Sequence, residues 1–330
     1  MKLKVGVLRG GVGPEYDISL KTGGAVLANL DREKYRPVDI LIDKEGIWHA
    51  DGIPLKSKEN LKSIVDVVWN GMHGYLGEDG RIQNFLEGAG VPFTGPRSLP
   101  AYVSLNKSLA KNKFSKLGLR SPFGEMVGDE IEFWNYGGDS ERYVEDKARE
   151  IFQKISPPWI VKPLLGTCSI DVYLAENFAE LVAALTKVLQ NHESALVEEF
   201  VRGREIVVGI IENFRDKENY TLIPLEIIKS KPVFDYETRH GGDYRLLRPA
   251  DLTLDEKVLI GEAAAKIHEH FDLGQYSLVD LILTKNGVRV LEVDSLPDLG
   301  EHSLFCRSLA EVGAGVPEFL ECVINKTLEK

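Results

Sequence analysis

Three acidic residues near the end of the chain, Asp280, Glu292 and Asp294, have the types and spacing of a metal site. They lie on two short apolar segments joined by Thr-Lys-Asn-Gly at 284–287, and Asn-Gly between apolar runs predicts a hairpin. Alternation places Glu292 and Asp294 on one face, and Asp280 comes from the neighbouring strand. Converging carboxylates repel one another unless a cation neutralises them. Oxygen ligands suit Mg²⁺, with Mn²⁺ as an alternative, and Mg²⁺ usually also takes oxygens from a substrate phosphate.

The competing interpretation is a solvated hairpin with acidic residues by chance, and the rest of the chain decides between the two. The length of 330 residues predicts two or three domains. A composition of 43% hydrophobic and 28% charged residues is typical of a soluble globular protein. The net charge of −11, without a basic stretch, argues against nucleic acid or an anionic membrane as the main partner.

The sequence also indicates a compartment. No apolar run approaches the roughly 20 residues of a membrane span, and residues 1–7 enter a strand pattern without a signal-peptide core. The cysteines, Cys168, Cys306 and Cys322, are few, odd in number and far apart, and they lack zinc spacing. We therefore expect a reducing cytoplasm and no disulfide framework.

The elements that would position the acidic residues begin with an α/β unit. Residues 3–9 are a predicted buried strand, followed by a glycine-rich turn and a helix from about Ile18. Residues 64–69 predict another buried strand, and a helix follows at about 80–88. The first hundred residues therefore indicate a small parallel α/β domain.

From Ser104 the pattern changes to helices alternating with short strands, predicted at 159–162, 195–200 and 205–209. Hairpin-like pairs in the last third predict an antiparallel sheet. The fold class is therefore α/β, with α+β character in the C-terminal part. The polar segment 137–147 is predicted to be an exposed connection.

Several motifs resemble the D-alanine–D-alanine ligase family of the ATP-grasp superfamily. Residues 73–83 read His-Gly-Tyr-Leu-Gly-Glu-Asp-Gly-Arg-Ile-Gln and are followed by Pro-Phe-Thr-Gly at 92–95, as in the family's signature. Gly-Gly-Val-Gly-Pro-Glu at 10–15 resembles its first motif. The resemblance runs from about residue 5 to about 305 and implies an ATP-grasp fold behind an N-terminal α/β domain. It divides the chain into domains 1–100, 101–190 and 191–330, with ATP between the second and third.

The resemblance also implies roles for residues around the substrates. Glu15 matches a glutamate that helps to hold the ammonium of the first amino acid. His73 belongs to the signature and is assigned to substrate binding. Ser169 keeps the position of the catalytic serine, and Ser303, in the retained His-Ser-Leu, matches the serine that binds the carboxylate of the second substrate.

Two lysines are candidates for binding phosphate. Lys107 follows Asn106 at a helix start, where the family places a phosphate-binding lysine. Lys162 ends a buried strand, and a lysine there points into a cleft where its ammonium neutralises phosphate charge. Taken alone, either lysine is more simply a surface cation.

The rest of the nucleotide site is implied by residue matching. Glu198, Phe200 and Val201 lie in the segment in which ATP-grasp enzymes bind adenine. Glu205 matches the glutamate that meets the ribose hydroxyls, as acidic residues do in other nucleotide folds.

Asp280, Glu292 and Asp294 fall on the magnesium ligands of the family. In the implied chemistry, ATP phosphorylates a carboxylate and an amine attacks the acyl phosphate, as in the synthesis of a peptidoglycan precursor. The implied partners are amino-acid substrates and a second copy of the chain, bound through the N-terminal domain.

Three departures from the family surround this chemistry. The phosphate loop Glu-Gly-Ser-Ser-x-Gly is here Gly-Thr-Cys-Ser-Ile-Asp at 166–171, so Asp171 stands at a glycine position and adds a negative charge. Leu278 replaces the arginine that holds the acyl donor and the tetrahedral intermediate. Asp298 replaces the glycine whose backbone completes the oxyanion hole. We expect slow D-alanine ligation unless Arg239 or Arg245 replaces the lost arginine.

A fourth departure is Arg239-His240, in place of the Lys-Tyr pair that ends the mobile loop. Relatives that make D-alanyl-D-lactate also have a histidine in this loop, and a cationic imidazole at His240 would favour a hydroxy acid over an amino acid. The simpler interpretation is a loop residue that contacts Ser169 or Glu15.

Three functions remain open at this stage. The first is an ATP-dependent carboxylate–amine ligase of the D-alanine–D-alanine type. The second is a ligase for another amino or hydroxy acid, and the third is a nucleotide-binding homologue that has lost catalysis. Leu278 and Asp298 favour the second and third, whereas the acidic triad and both lysines favour continued use of ATP.

Overall fold

The computed structural model describes residues 2–128, 136–137 and 139–329, together with the backbone but not the side chain of His240. Three sheets form in this part of the chain. No helix among the described residues is both long and apolar enough to cross a membrane.

The first sheet is mainly parallel, as expected for the first hundred residues. Leu3–Gly10 pairs in parallel with Tyr35–Ile42 on one side and with Val67–Asn70 on the other. Helices make the crossovers that parallel strands require. The strand predicted at 64–69 starts only at Val67, because Leu61–Ile64 forms a helical turn. The remaining elements are the short antiparallel strands Trp48–Ala50 and Ile53–Pro54, the helices Tyr16–Asn29, Gly74–Gly77 and Arg81–Ala89, and the 3-10 turn Lys58–Asn60.

The second sheet is antiparallel and has four strands, in the order Gly124–Val127, Ala195–Glu199, Trp159–Pro163 and Tyr173–Ala175. It is covered by two helices, Ser140–Lys154 and Phe178–Asn191. Because Ala195–Glu199 pairs within this sheet, the sheet continues past residue 190, and the division of domains there stays a prediction.

The expectation of an exposed connection at 137–147 is wrong from Ser140 onward. Residues Ser140–Lys154 form a helix, and the side chain of Asp139 caps it by accepting from the N–H of Arg142. Tyr143 and Val144 are buried, and the apolar residues recur at helical spacing. The exposed face of this helix is polar, and its polar residues are the reason that the sequence suggested a connection.

The third sheet is antiparallel, in the order Tyr244–Leu247, Leu225–Lys229, Arg204–Phe214, Tyr276–Thr284 and Gly287–Asp294, with Lys217–Thr221 also paired to Arg204–Phe214. The last two long strands form the expected hairpin. The helices of this part are Tyr236–Gly241, Leu254–Phe271, Leu304–Glu311 and Val316–Leu328, and the preceding pair is Ser98–Leu105 and Lys107–Lys116.

The helix Val316–Leu328 returns to the first sheet. Phe319 packs edge-on against Trp69 with ring centroids 5.8 Å apart, and Tyr276 stacks on Trp69 at 5.9 Å. These residues share one hydrophobic core with Val5 and Val7 of the first sheet. The core therefore fixes the loop after Asn70 against the C-terminal part of the chain.

Candidate active site

A cleft of about 930 Å³, including its part open to solvent, lies between the second and third sheets. Most of the residues predicted for nucleotide and metal binding line it: Lys107, Lys162, Ser169, Glu198, Phe200, Val201, Glu205, Asp280 and Glu292. Glu15, His73, Asp294 and Ser303 lie outside this lining. The sequence segments that would hold ATP are thus brought to one place.

A buried carboxylate organises the lysines at one end of the cleft. The Nζ of Lys162 lies 2.6 Å from Oε2 of Glu198, and Lys111 forms an ion pair with the other oxygen. Burial opposes ionisation of Glu198, but the two ammonium groups lower its pKa overall. Sequence reasoning missed Lys111, although its position four residues after Lys107 on one helix was a usable signal.

Lys107 begins the helix Lys107–Lys116, which Asn106 caps by accepting from the N–H of Leu109. Its Nζ donates to the carbonyl oxygen of Gly166, at the start of the phosphate loop. Burial lowers the pKa of Lys107. This lysine therefore contacts the loop and also lines the cleft.

The segment matched to adenine binding follows the strand Ala195–Glu199. Phe200 and Val201 line the cleft, and the N–H of Phe200 donates to the carbonyl of Pro158 at 3.1 Å. Glu205, on the next strand, forms an ion pair with Lys229. In this structure the carboxylate of Glu205 is therefore paired with the ammonium group of Lys229.

Asp280 and Glu292 lie directly opposite each other in the hairpin, next to a register shift at Leu281. Burial, together with the charge of Glu292, raises the pKa of Asp280 to about 8. The Oδ1 atom of Asp280 is buried and has no hydrogen-bond partner. Two such carboxylates are suitable ligands for a hard divalent cation.

The expected convergence of three carboxylates is not found, since no group of three or more His, Cys, Asp or Glu among the described residues is placed to hold a metal ion. Asp294 instead shares a hydrogen bond with Glu78, and burial and Asp294 together raise the pKa of Glu78 well above its usual range. Glu78 belongs to the signature at 73–83, but the sequence alone predicted no role for it.

Glu15 lies in a neighbouring cavity with Gly74, Tyr75 and Ile170. It is buried, its Oε2 atom has no hydrogen-bond partner, and burial raises its pKa. A ligand cation would satisfy this oxygen, so the position suits an ammonium group.

His73 belongs to a buried hydrogen-bonded chain. The hydroxyl of Thr22 donates to Oδ1 of Asp298 at 2.9 Å and lies 2.8 Å from Nε2 of His73. Burial lowers the pKa of His73. The N–H of Gly300 also donates to Asp298, at 2.7 Å. The carboxylate of Asp298, at the family's glycine position, is therefore already hydrogen-bonded within the protein, to Thr22 and Gly300.

A third cavity has a volume of about 1490 Å³, including its part open to solvent. Ser303, Leu278, Asp298 and Arg239 are among the residues that line it. Ser303 caps the helix Leu304–Glu311 by accepting from the N–H of Cys306. Leu278 is uncharged, so any positive charge in this cavity comes from the other lining residues, among them Lys21, Arg239 and Arg307.

Arg239 supplies such a charge from the helix Tyr236–Gly241. Burial opposes its ionisation, but Cys168 and the acidic residues Asp280, Asp294 and Glu292 raise its pKa overall. His240 follows on the same helix, and the role predicted for its side chain lies outside the described part of the chain.

Comparison with known proteins gives a consistent result. Two family models match, D-ala D-ala ligase C-terminus over residues 135–325 and D-ala D-ala ligase N-terminus over residues 4–63 and 52–96. A D-alanine–D-alanine ligase of Aquifex aeolicus is 31% identical over 327 residues, which cover 98% of this chain and 100% of the relative.

Two solved structures show the same fold at lower identity. The VanG D-Ala:D-Ser ligase of Enterococcus faecalis matches with a TM-score of 0.83 and 23% identity, over 99% of this chain and 100% of that one. The Bacillus anthracis D-alanine–D-alanine ligase complexed with ATP matches with a TM-score of 0.76 and 23% identity, over 99% and 98% of the two chains. The expected ATP-grasp fold is confirmed.

Proposed function

Because this chain belongs to the D-alanine–D-alanine ligase family of ATP-dependent C–N ligases, we propose that it joins two D-alanine molecules using ATP bound in the cleft between its second and third sheets. The observation that carries the proposal is the meeting of Lys107 and Lys162 with the Asp280–Glu292 pair in that cleft. Two cations and two carboxylates at one place can bind a polyphosphate and its counter-ion.

The lysines act on the phosphates. Both are buried, and an ammonium in a water-poor site stabilises negative charge more strongly than one in water. Lys107 and Lys162 would neutralise the charge of the transferred group, and Glu205 would accept hydrogen bonds from the ribose hydroxyls. Phe200 and Val201 would contact adenine.

The Asp280–Glu292 pair fits Mg²⁺, because the unpartnered oxygen of Asp280 and the raised pKa of this residue both reflect a missing counter-charge. Mg²⁺ usually takes only one or two protein carboxylates and completes its shell with phosphate oxygens and water. When bound, it would withdraw negative charge from the phosphates. Asp294, tied to Glu78, stays a predicted ligand, and Mn²⁺ remains an alternative ion.

The proposed reaction has two steps. In the first, a carboxylate oxygen of D-alanine attacks the terminal phosphorus of ATP, and ADP leaves, with Glu15 holding the substrate ammonium. In the second, the amine of another D-alanine attacks the acyl carbon, the C–O bond to phosphate breaks, and the amine loses a proton. Ser303 would bind the carboxylate of this second molecule, and Ser169 would contact the phosphate.

We further propose a cytoplasmic homodimer. Support for the compartment comes from the three cysteines, which are all unpaired. Support for a dimer comes only from the family resemblance, and light scattering of the purified protein would test it.

The substrates are tested by a panel of D-amino acids and D-lactate, with phosphate release and product mass as readouts. We expect release with D-alanine and formation of D-alanyl-D-alanine. D-serine and D-lactate belong in the panel because Leu278 and Asp298 alter the cavity that contains Ser303. Phosphate release with other substrates only would show that D-alanine is not the substrate. Nucleotide binding without any phosphate release would exclude the ligase activity.

A further inference from the structure

The phosphate loop, residues 166–171, has an unusual backbone. Cys168, Ser169 and Asp171 all have positive φ, at +59°, +59° and +55°. The left-handed region is unfavourable for residues other than glycine, and aspartate tolerates it better than most. A loop with three such residues persists only where surrounding contacts hold it.

Contacts of this kind are made by the side chain of Asp171. Its Oδ2 atom lies 2.8 Å from Nε2 of His192, and its Oδ1 accepts from the hydroxyl of Tyr173 at 2.8 Å. Asn191 also donates to Oδ2, at 3.4 Å. These groups therefore hold the carboxylate from two sides.

His192 connects this contact to a rigid element. It directly follows the helix Phe178–Asn191, whose buried face packs in the core of the central domain through Leu181, Leu185 and Val188. The end of the phosphate loop is therefore fixed to a helix that the core immobilises.

The beginning of the loop is held as well, because Lys107 donates to the carbonyl of Gly166. Between these two attachments, Ser169 and Ile170 line the nucleotide cleft. We propose that Asp171 and His192 form an anchor that positions Ser169 and the loop backbone for the phosphates of ATP. The inference rests on the proposed function, since it takes this loop to bind ATP.

The anchor also explains how aspartate is accepted at a position where the family has glycine. Burial of Asp171 opposes its ionisation, but the hydrogen bonds from His192 and Tyr173 lower its pKa overall. The carboxylate is directed at these donors, and Asp171 is not among the residues that line the nucleotide cleft. A glycine at this position would leave the loop backbone free to adopt several conformations, whereas Asp171 fixes the backbone through its side-chain hydrogen bonds.

The decisive variant is Asp171→Gly, because glycine adopts the positive φ freely and removes only the anchor. We expect the KM for ATP to rise on the order of tenfold, the effect of losing a hydrogen bond to a charged group. The KM for D-alanine should change less than twofold. His192→Ala should behave in the same way, and Asp171→Asn, which keeps an acceptor for Tyr173, should fall between these variants and the native protein.

A matched control exists in the first domain. Nε2 of His49 lies 2.9 Å from Oδ2 of Asp43, and their exposures of 20% and 22% are close to the 21% of both His192 and Asp171. His49→Ala should leave the KM for ATP unchanged. Thermal unfolding of each variant identifies a general loss of folding, and His192→Ala is decisive if Asp171→Gly does not fold.

The dissociation constant of ATP, measured by calorimetry, keeps the two hypotheses separate. If the native protein turns over D-alanine and both anchor variants bind ATP as tightly as it does, the anchor is refuted and the proposed function stands. If the native protein binds ATP without turnover, the proposed function fails, and weaker ATP binding by the variants still supports the anchor. Absence of ATP binding by the native protein refutes both.

Discussion

Nζ of Lys162 lies 2.6 Å from Oε2 of Glu198, and both side chains are almost inaccessible to solvent at the inner end of the cleft. Lys111 contacts the other oxygen of the same carboxylate. A single buried anion thus holds two cations together, and Lys107 lies nearby. The cluster carries a net positive charge, which suits a site for phosphate.

Removing that anion should destabilise the fold. We expect Glu198→Gln to lower the free energy of unfolding by about 3 kcal/mol, because it leaves two buried ammonium groups without a counter-charge. Urea denaturation at pH 7 measures this change. As a control, Glu125→Gln, which breaks the exposed pair with Lys154, should cost less than about 1 kcal/mol. Equal losses in both variants would show that burial of the pair has no energetic consequence.

Glu292→Gln should weaken metal-dependent nucleotide binding. With one of two facing carboxylates neutralised, we expect Mg²⁺ affinity in the presence of ATP to fall on the order of 10- to 100-fold, and turnover to fall with it. Calorimetry at several Mg²⁺ concentrations gives the affinity. Asp255→Asn, on an exposed helix start, is the control. Unchanged binding in Glu292→Gln would show that the Asp280–Glu292 pair does not hold the metal.

Arg239 should be required for ligation, since it lines the cavity in which Leu278 has replaced an arginine. We expect Arg239→Gln to lower kcat on the order of 10²- to 10³-fold, as for loss of a single group that stabilises an oxyanion. Arg245 is exposed on the neighbouring strand, and Arg245→Gln should retain activity.

The double substitution Leu278→Arg with Asp298→Gly tests the same point from the other side. If Arg239 already supplies the charge, the double variant should gain little D-alanine-dependent ADP release. A large gain, with Arg239→Gln as active as the native protein, would show that the oxyanion site is defective in this chain.

His73 should make stability depend on pH. Burial lowers its pKa in the folded state, so the unfolded state binds a proton more readily and is favoured as the pH falls below about 6.5. The stability that the native protein has relative to His73→Gln should therefore decrease between pH 7 and pH 5. Denaturant unfolding of both proteins across this range measures the difference, and a constant difference would contradict it.

Local sequence predicted much of the nucleotide cleft. Asn-Gly between apolar runs located the hairpin that pairs Asp280 with Glu292, and a lysine ending a buried strand located Lys162. Strand alternation and turn chemistry operate over a few residues, so they can be read without the fold.

Side-chain partnerships between distant segments were not predictable in the same way. The contact of Asp171 with His192 depends on how the loop lies against the helix Phe178–Asn191. The contact of Glu78 with Asp294 joins the segment that follows Gly74–Gly77 to the third sheet. These pairs follow from tertiary packing. The second engages Asp294, which alternates correctly with Glu292 but is hydrogen-bonded to Glu78 in this structure.

The packing of Phe319 on Trp69 has a consequence for how the chain is made. The first sheet emerges from the ribosome early, but part of the apolar surface around Val5, Val7 and Trp69 is covered by the helix Val316–Leu328. That surface stays uncovered until more than two hundred further residues have been synthesised. Nascent chains that contain only the first sheet should therefore bind chaperones, and release should coincide with the emergence of this helix.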